Sequence, residues 1–394
     1  MKKKLSWLFA LMTAFALVAA ACGSDTAEEV VDAGEEVVDD AVEEGEEVVE
    51  EAMEEGEEAM EDDVAMPGAG VSVTAARANW STGYFQAAIY AALLTELGYD
   101  VSDPADSEFP PSNGYTAMAQ GEIDFWANSW YPGHLSWHEN ELPDGSTVGD
   151  NVVILGEELI ASGLEGILIT KSVAEEYNIT SMQQINDDPE LVALFDEDGD
   201  GKADLFGCPE DWTCDDIMND MISFNGWDNI AQVKAGYDGM IAESVNRANA
   251  GDPVMQYTWS PSGYLTQLIP GDNALWLSHG GEDKILDGST NEAFDFVAGN
   301  PASLGDTCTE DPCWIGWDSA DIQVTANKEF VEANPAAGEL FSQVKLSVID
   351  VANENVKYSN GEDTEDDVKR HAEEWIADNR ELVDTWLDAA RAAA

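Results

Sequence analysis

Seven residues, CPEDWTC at 208–214, place two cysteines around a tryptophan. So short a loop has little core of its own, so Trp212 is held out for something. Two further tryptophans sit beside prolines: Trp130 in NSWYPGH (128–134) and Trp259 in YTWSP (257–261). A single isolated tryptophan normally belongs to a core. His134 follows Trp130 by four positions and is one of four histidines, with His138, His279 and His371. Asp196, Asp198, Asp200 and Asp204 form an oxygen-rich group in DEDGDGKAD (196–204). Hard oxygen ligands at alternate positions with a glycine turn suit calcium in a structural role. Gly207 stands where the twelfth-position acid would be, so a plain Asx-turn loop is the alternative.

Other chemistries lack their residues. Neither G-x-S-x-G nor G-x-x-x-x-G-K-[ST] occurs, so no nucleophile elbow and no phosphate-cradling loop is present. Any pump or ATPase belongs to other chains. A secreted hydrolase using paired carboxylates and an acidic calcium-binding surface protein are the rival readings. The formal net charge of −65 argues against a nucleic-acid partner, because a polyanion is repelled.

The N-terminus points outward. MKKK, an apolar run over 5–21 and Cys22 form an export signal too short for a comfortable span. LVAAAC (17–22) resembles a bacterial lipoprotein box, which implies a lipidated Cys22 and a membrane anchor; simple cleavage near Ala21 is the alternative. The other cysteines, Cys208 with Cys214 and Cys308 with Cys313, form two close pairs in an exported chain, and two disulfides follow. A metal site at these spacings would want a nearby histidine, and none is near either pair. Residues 25–63 carry 21 acids and no base, with Gly34, Gly45 and Gly56 recurring every eleven positions. The reading is a solvated, partly helical stalk over 23–70. The remainder is also strongly acidic, which suits a saline medium whose ions screen self-repulsion.

Elements must position these groups. A short β segment at 71–75 precedes a helix with Phe85, Ile89 and Leu93 on one face, stopped by Gly98. Strand candidates follow at 99–101, 152–155, 166–170, 254–259 and 274–278. A last helix from about Glu365 presents Val368, Trp375, Ile376, Leu382, Val383, Trp386 and Leu387. Strand–helix alternation predicts an α/β fold with mainly parallel sheets, and the length allows two lobes around a cleft.

Five segments in order then resemble one family. They are NGYT (113–116) with AQGEID (119–124), NSWYPGH, the 194–214 block, YTWSP, and ANKEF (326–330) with NPAA (334–337). Together they resemble the glycine betaine-binding, ProX-type proteins of ProU-type ABC importers over 71 to about 394. The resemblance implies a two-lobed periplasmic-binding-protein fold (type II-like) that closes on ligand by a hinge. Lobe one would comprise 71–160 and 320–394, and lobe two 161–319. It implies an extracytoplasmic, non-enzymatic protein that delivers an osmoprotectant to a membrane permease and requires no cofactor.

The same resemblance implies the site. A trimethylammonium head has no N–H to donate, and aromatic faces attract it without the desolvation cost of a carboxylate cage. By motif, Trp130, Trp212 and Trp259 form the cage, and the disulfide stiffens the loop that presents Trp212. His134 and the backbone N–H groups of Thr213 and Cys214 hold the carboxylate tail. Thr213 stands where the family has glycine, which a backbone donor tolerates unless the turn needs positive φ. Trp80 is a lower-ranked candidate, and Trp126 and Trp137 are read as supports. Choline, carnitine, proline betaine or dimethylsulfoniopropionate are alternative ligands, since a cage recognises the onium head.

Overall fold

The computed structural model describes residues 65–285, 302–317 and 319–394. The expected export signal, Cys22 and the acidic run to residue 64 lie outside them. Among the described residues no helix is long and apolar enough to cross a membrane.

Eleven strands are described: β1 (Ser72–Val73), β2 (Ala75–Ala78), β3 (Asp100–Val101), β4 (Glu108–Phe109), β5 (Phe125–Tyr131), β6 (Val152–Thr170), β7 (Ala203–Phe206), β8 (Ile230–Val233), β9 (Met255–Ser260), β10 (Ala274–Trp276) and β11 (Ala320–Asn327). β1 pairs with β3 alone. The others form one sheet in the order β4-β2-β5-β11-β6-β9-β7-β8, with β10 also against β6. β6 is the axis of the molecule. Its residues up to Gly163 pair with β11, and those from Leu164 onward pair with β9. The sheet therefore divides into two halves joined through one long strand.

Two expectations are corrected. The candidates at 152–155 and 166–170 are the two ends of β6, because the chain between them stays paired, first to β11 and then to β9. The sheet is mixed rather than mainly parallel. β2, β4 and β5 pair in parallel, as do β7, β8 and β9. The central pairs β5–β11, β11–β6 and β6–β9 are antiparallel, since β6 and β11 are crossing strands rather than members of β-α-β units.

Helices cover both halves. α1 (Tyr84–Glu96) buries Phe85, Ile89 and Leu93 against β2 and β5, and Gly98 follows it at φ +89°. The predicted last helix is two, α2 (Glu365–Asp378) and α3 (Arg380–Ala392). Asn379 separates them at φ −110°, and its side-chain amide donates to the Trp375 carbonyl. Trp375 and Trp386 stack across the break, while Leu382 is exposed.

Candidate functional site

The strand β5 fixes one wall of a cavity. Asn128 and Trp130 are two residues apart, so their side chains share a face. The buried Asn128 Oδ1 accepts the indole N–H of Trp130 at 2.9 Å and that of Trp80 at 2.8 Å. One amide oxygen thus orients two rings. Trp130 also packs onto β6 at Gly163, where a Cβ would come within 2.6 Å of the ring.

The chain leaves β5 through a 3-10 turn, Gly133–Glu139, which carries His134 inward. The Trp130 backbone N–H donates to His134 Nδ1 at 3.2 Å, with Tyr115 Oη 3.0 Å away. A backbone N–H can only donate, so Nδ1 accepts and the ring proton sits on Nε2. Burial, with His138 nearby, pushes the His134 pKa down to about 3. His134 is therefore a neutral N–H donor at physiological pH.

The second wall comes from beyond residue 163. Cys208 and Cys214 are disulfide-bonded, with Cα atoms 5.8 Å apart. Trp212 is the N-cap residue of the helix Thr213–Asn225, in extended conformation. Its ring stacks on Tyr237 at 5.5 Å and meets Trp80 and Trp259 edge-on at 5.1 and 5.6 Å. The N–H groups of Thr213 and Cys214 open that helix, where no intrahelical acceptor exists. Trp259 stands near the end of β9, so it and Trp130 belong to strands and only Trp212 to a loop.

The walls touch through three indole N–H groups. Trp212 donates to Asn79 Oδ1 at 2.9 Å, Trp259 to Thr82 Oγ1 at 3.2 Å and Trp137 to Thr213 Oγ1 at 2.7 Å. Trp126 is fully buried behind Trp80, against Gly114. The result is a small, partly open cavity. Trp80, Trp130, Trp212, Trp259, His134, Thr213 and Cys214 all line it, so the structure gathers every residue expected of the organic site.

Comparison with known proteins adds the family. Residues 71–378 match the model described as "Substrate binding domain of ABC-type glycine betaine transport system". The chain belongs to this family. The family is one of transport substrate-binding proteins. Among curated relatives, the glycine betaine-binding periplasmic protein OusX of Dickeya dadantii is 32% identical over 84% of this chain and 92% of its own length. The glycine betaine/proline betaine-binding periplasmic protein of Escherichia coli K12 is 30% identical over 83% and 92%. A lactococcal OpuAC structure closed on glycine betaine superposes with a TM-score of 0.57 at 16% identity, over 80% of this chain and 99% of that one. A choline-binding ABC-transporter protein complexed with choline gives 0.57 at 15%, over 82% and 96%. These structures share the two-lobed fold.

Sequence reasoning missed several of the residues that hold this cavity's walls. Asn128 and Tyr257 lay inside quoted motifs, and a strand reading of 125–131 would have put Asn128 on Trp130's face. Tyr115 also lay in a quoted segment, without a signal for its contact with His134. Glu165 lines the cavity because β6 pairs it with Trp259, a register with no local sequence signature.

The aspartate loop fits calcium in part. One carboxylate oxygen each of Asp196, Asp198 and Asp204 lies within 4.8 Å of the others, and Asp200 is outside this group. Asp196 accepts the Gly199 and Gly201 N–H groups, Asp198 that of Asp200, and Asp204 those of Glu197 and Asp198. Asx-type bonds thus hold the loop, as its alternative reading expects. Burial, opposed by the Asp198 N–H and reinforced by the neighbouring aspartates, raises the Asp204 pKa. The second cysteine pair, Cys308–Cys313, is also a disulfide, and neither of its residues lines the cavity.

Proposed function

We propose that this chain captures glycine betaine outside the cytoplasm and delivers it to the permease of an ABC importer. Trp130, Trp212 and Trp259 surround the trimethylammonium head, with Trp80 as a fourth face. Each aromatic contact contributes roughly 0.5–2 kcal/mol. The His134 Nε2–H and the N–H groups of Thr213 and Cys214 receive the carboxylate. The observation that carries this reading is the convergence of indoles with a neutral imidazole and a helix N-terminus on one cavity. Residues 71–160 with 320–394 would move against 161–319 to admit and release the ligand. Cys22 would carry the lipid anchor, holding the protein on the outer face of the cytoplasmic membrane. Calcium at Asp196, Asp198 and Asp204 would be structural, relieving repulsion among the clustered carboxylates.

The test is a tryptophan-fluorescence titration of the full chain with glycine betaine, choline, carnitine and proline, checked by calorimetry. Saturable binding of betaine without binding of proline is the expected result. No response to any onium compound would remove the reading.

A further inference from the structure

We propose, resting on the cage reading above, that Glu165 is a specificity-determining residue. Its carboxylate supplies the counter-charge that favours a cationic head and fixes which way round a zwitterion binds. The antiparallel register sets Glu165 directly opposite Trp259. Residues opposite each other in such a pair share a face, with Cβ atoms ~4.5–5.5 Å apart. Both line the cavity. Tyr257, two residues before Trp259 on the same face, donates its hydroxyl to Glu165 and holds the carboxylate beside the indole.

A single carboxylate among aromatic faces differs from a carboxylate cage. Its desolvation cost is already met in the unliganded fold, so an arriving cation gains attraction without stripping a fresh anion. The tail donors, His134 and the start of the Thr213–Asn225 helix, lie on other elements than β6. A zwitterion bound the other way would bring two carboxylates together. Choline has no tail carboxylate to offset the attraction, so it depends on Glu165 more than betaine does.

The charge of this wall can be switched. Burial raises the Glu165 pKa to about 7, against the hydrogen bond from Tyr257. Other titratable groups lie nearby. Tyr257 and Tyr237 are pushed well above 10. His134 is pushed down to about 3, and His138 is also lowered. On the helix after Trp212, Asp215 is ion-paired to Lys234 at 2.7 Å, with Asp216 beside it. On β11, Asp321 accepts the Ala161 N–H at 2.7 Å. A cation favours ionised Glu165, so affinity should rise with pH and flatten once Glu165 is ionised in the free protein.

The experiment is calorimetry on the full chain with glycine betaine and with choline, at pH 5.5 and pH 8. Wild-type affinity is expected to rise across that interval, roughly tenfold for choline and roughly threefold for betaine. Glu165→Gln, which keeps an acceptor for Tyr257, should flatten the profile and weaken choline roughly tenfold and betaine roughly threefold at pH 8. Tyr257→Phe removes a bond to the ionised form, so it should keep the pH dependence and move its midpoint upward. Unchanged affinities, ligand ratio and pH slope in a folded Glu165→Gln variant would overturn the proposal alone. So would a Tyr257→Phe profile that does not move. A wild-type chain binding neither ligand would overturn the cage reading along with it.

Discussion

The two walls of the cavity hold their rings by different means. On the β5 wall, Trp80 and Trp130 share the buried Asn128 oxygen, and His134 is oriented by the neighbouring backbone N–H. Those bonds lie within one half of the molecule. On the other wall, Trp212 is tied by a disulfide and Trp259 by β9, while their indole N–H groups reach across to Asn79 and Thr82. One wall is preorganised by internal bonds; the other completes its bonds only when the halves meet.

β6 carries the contrast in miniature, and it gives the largest expected effect. Glu158 lies on the β11-paired stretch and Glu165 on the β9-paired one. Burial pushes the Glu158 pKa up to about 8, with Tyr90 and Gln86 moderating the shift. The folded state therefore keeps a proton that the unfolded chain releases near its ordinary value of 4.5. The resulting stability is present at low pH and is lost as pH rises through about 8. Glu158→Gln should remove that loss and exceed wild type by about 2–4 kcal/mol at pH 9, read from urea melts at several pH values. Its betaine affinity should stay unchanged, in contrast to Glu165→Gln.

Trp212→Ala comes next. It should weaken betaine binding roughly tenfold by calorimetry, through loss of ~1–2 kcal/mol of cation–ring attraction. Unchanged binding would break the comparison, leaving the second wall without a role in capture. Asn128→Ala unties both rings of the first wall. It should cost about 1–2 kcal/mol of stability in chemical denaturation, with weaker binding alongside.

The disulfides sharpen the contrast further. Cys208→Ser with Cys214→Ser should weaken betaine roughly threefold, because a looser loop loses more entropy on binding. The Cys308→Ser, Cys313→Ser pair should leave affinity unchanged, since that loop is not at the cavity. Equal effects from the two pairs would show that the first loop acts through general stability. The smallest effect is expected from Asn79→Ala. Removing one bond across the cavity should speed ligand release in stopped-flow fluorescence, at a cost of about 0.5–1.5 kcal/mol.

The sequence by itself determined what is local or motif-borne. The α1 face of Phe85, Ile89 and Leu93 follows from a period near 3.6, and the glycine stop from its positive φ. Two short cysteine pairs could close without knowledge of the fold, because their loops are only a few residues long. The tryptophans, His134 and the Thr213–Cys214 amides were legible because each lay in a quoted segment. Tertiary structure decided whatever depended on pairing across the chain. The change of partners along β6 at residues 163–164, the antiparallel centre of the sheet and the split at Asn379 have no local signature strong enough to announce them. Glu165 was one of many acids until β6 set it opposite Trp259, and Asn128 was one amide among several until Trp80 and Trp130 converged on it. Spacing fixes which side chains share a face within an element; only packing fixes which elements meet.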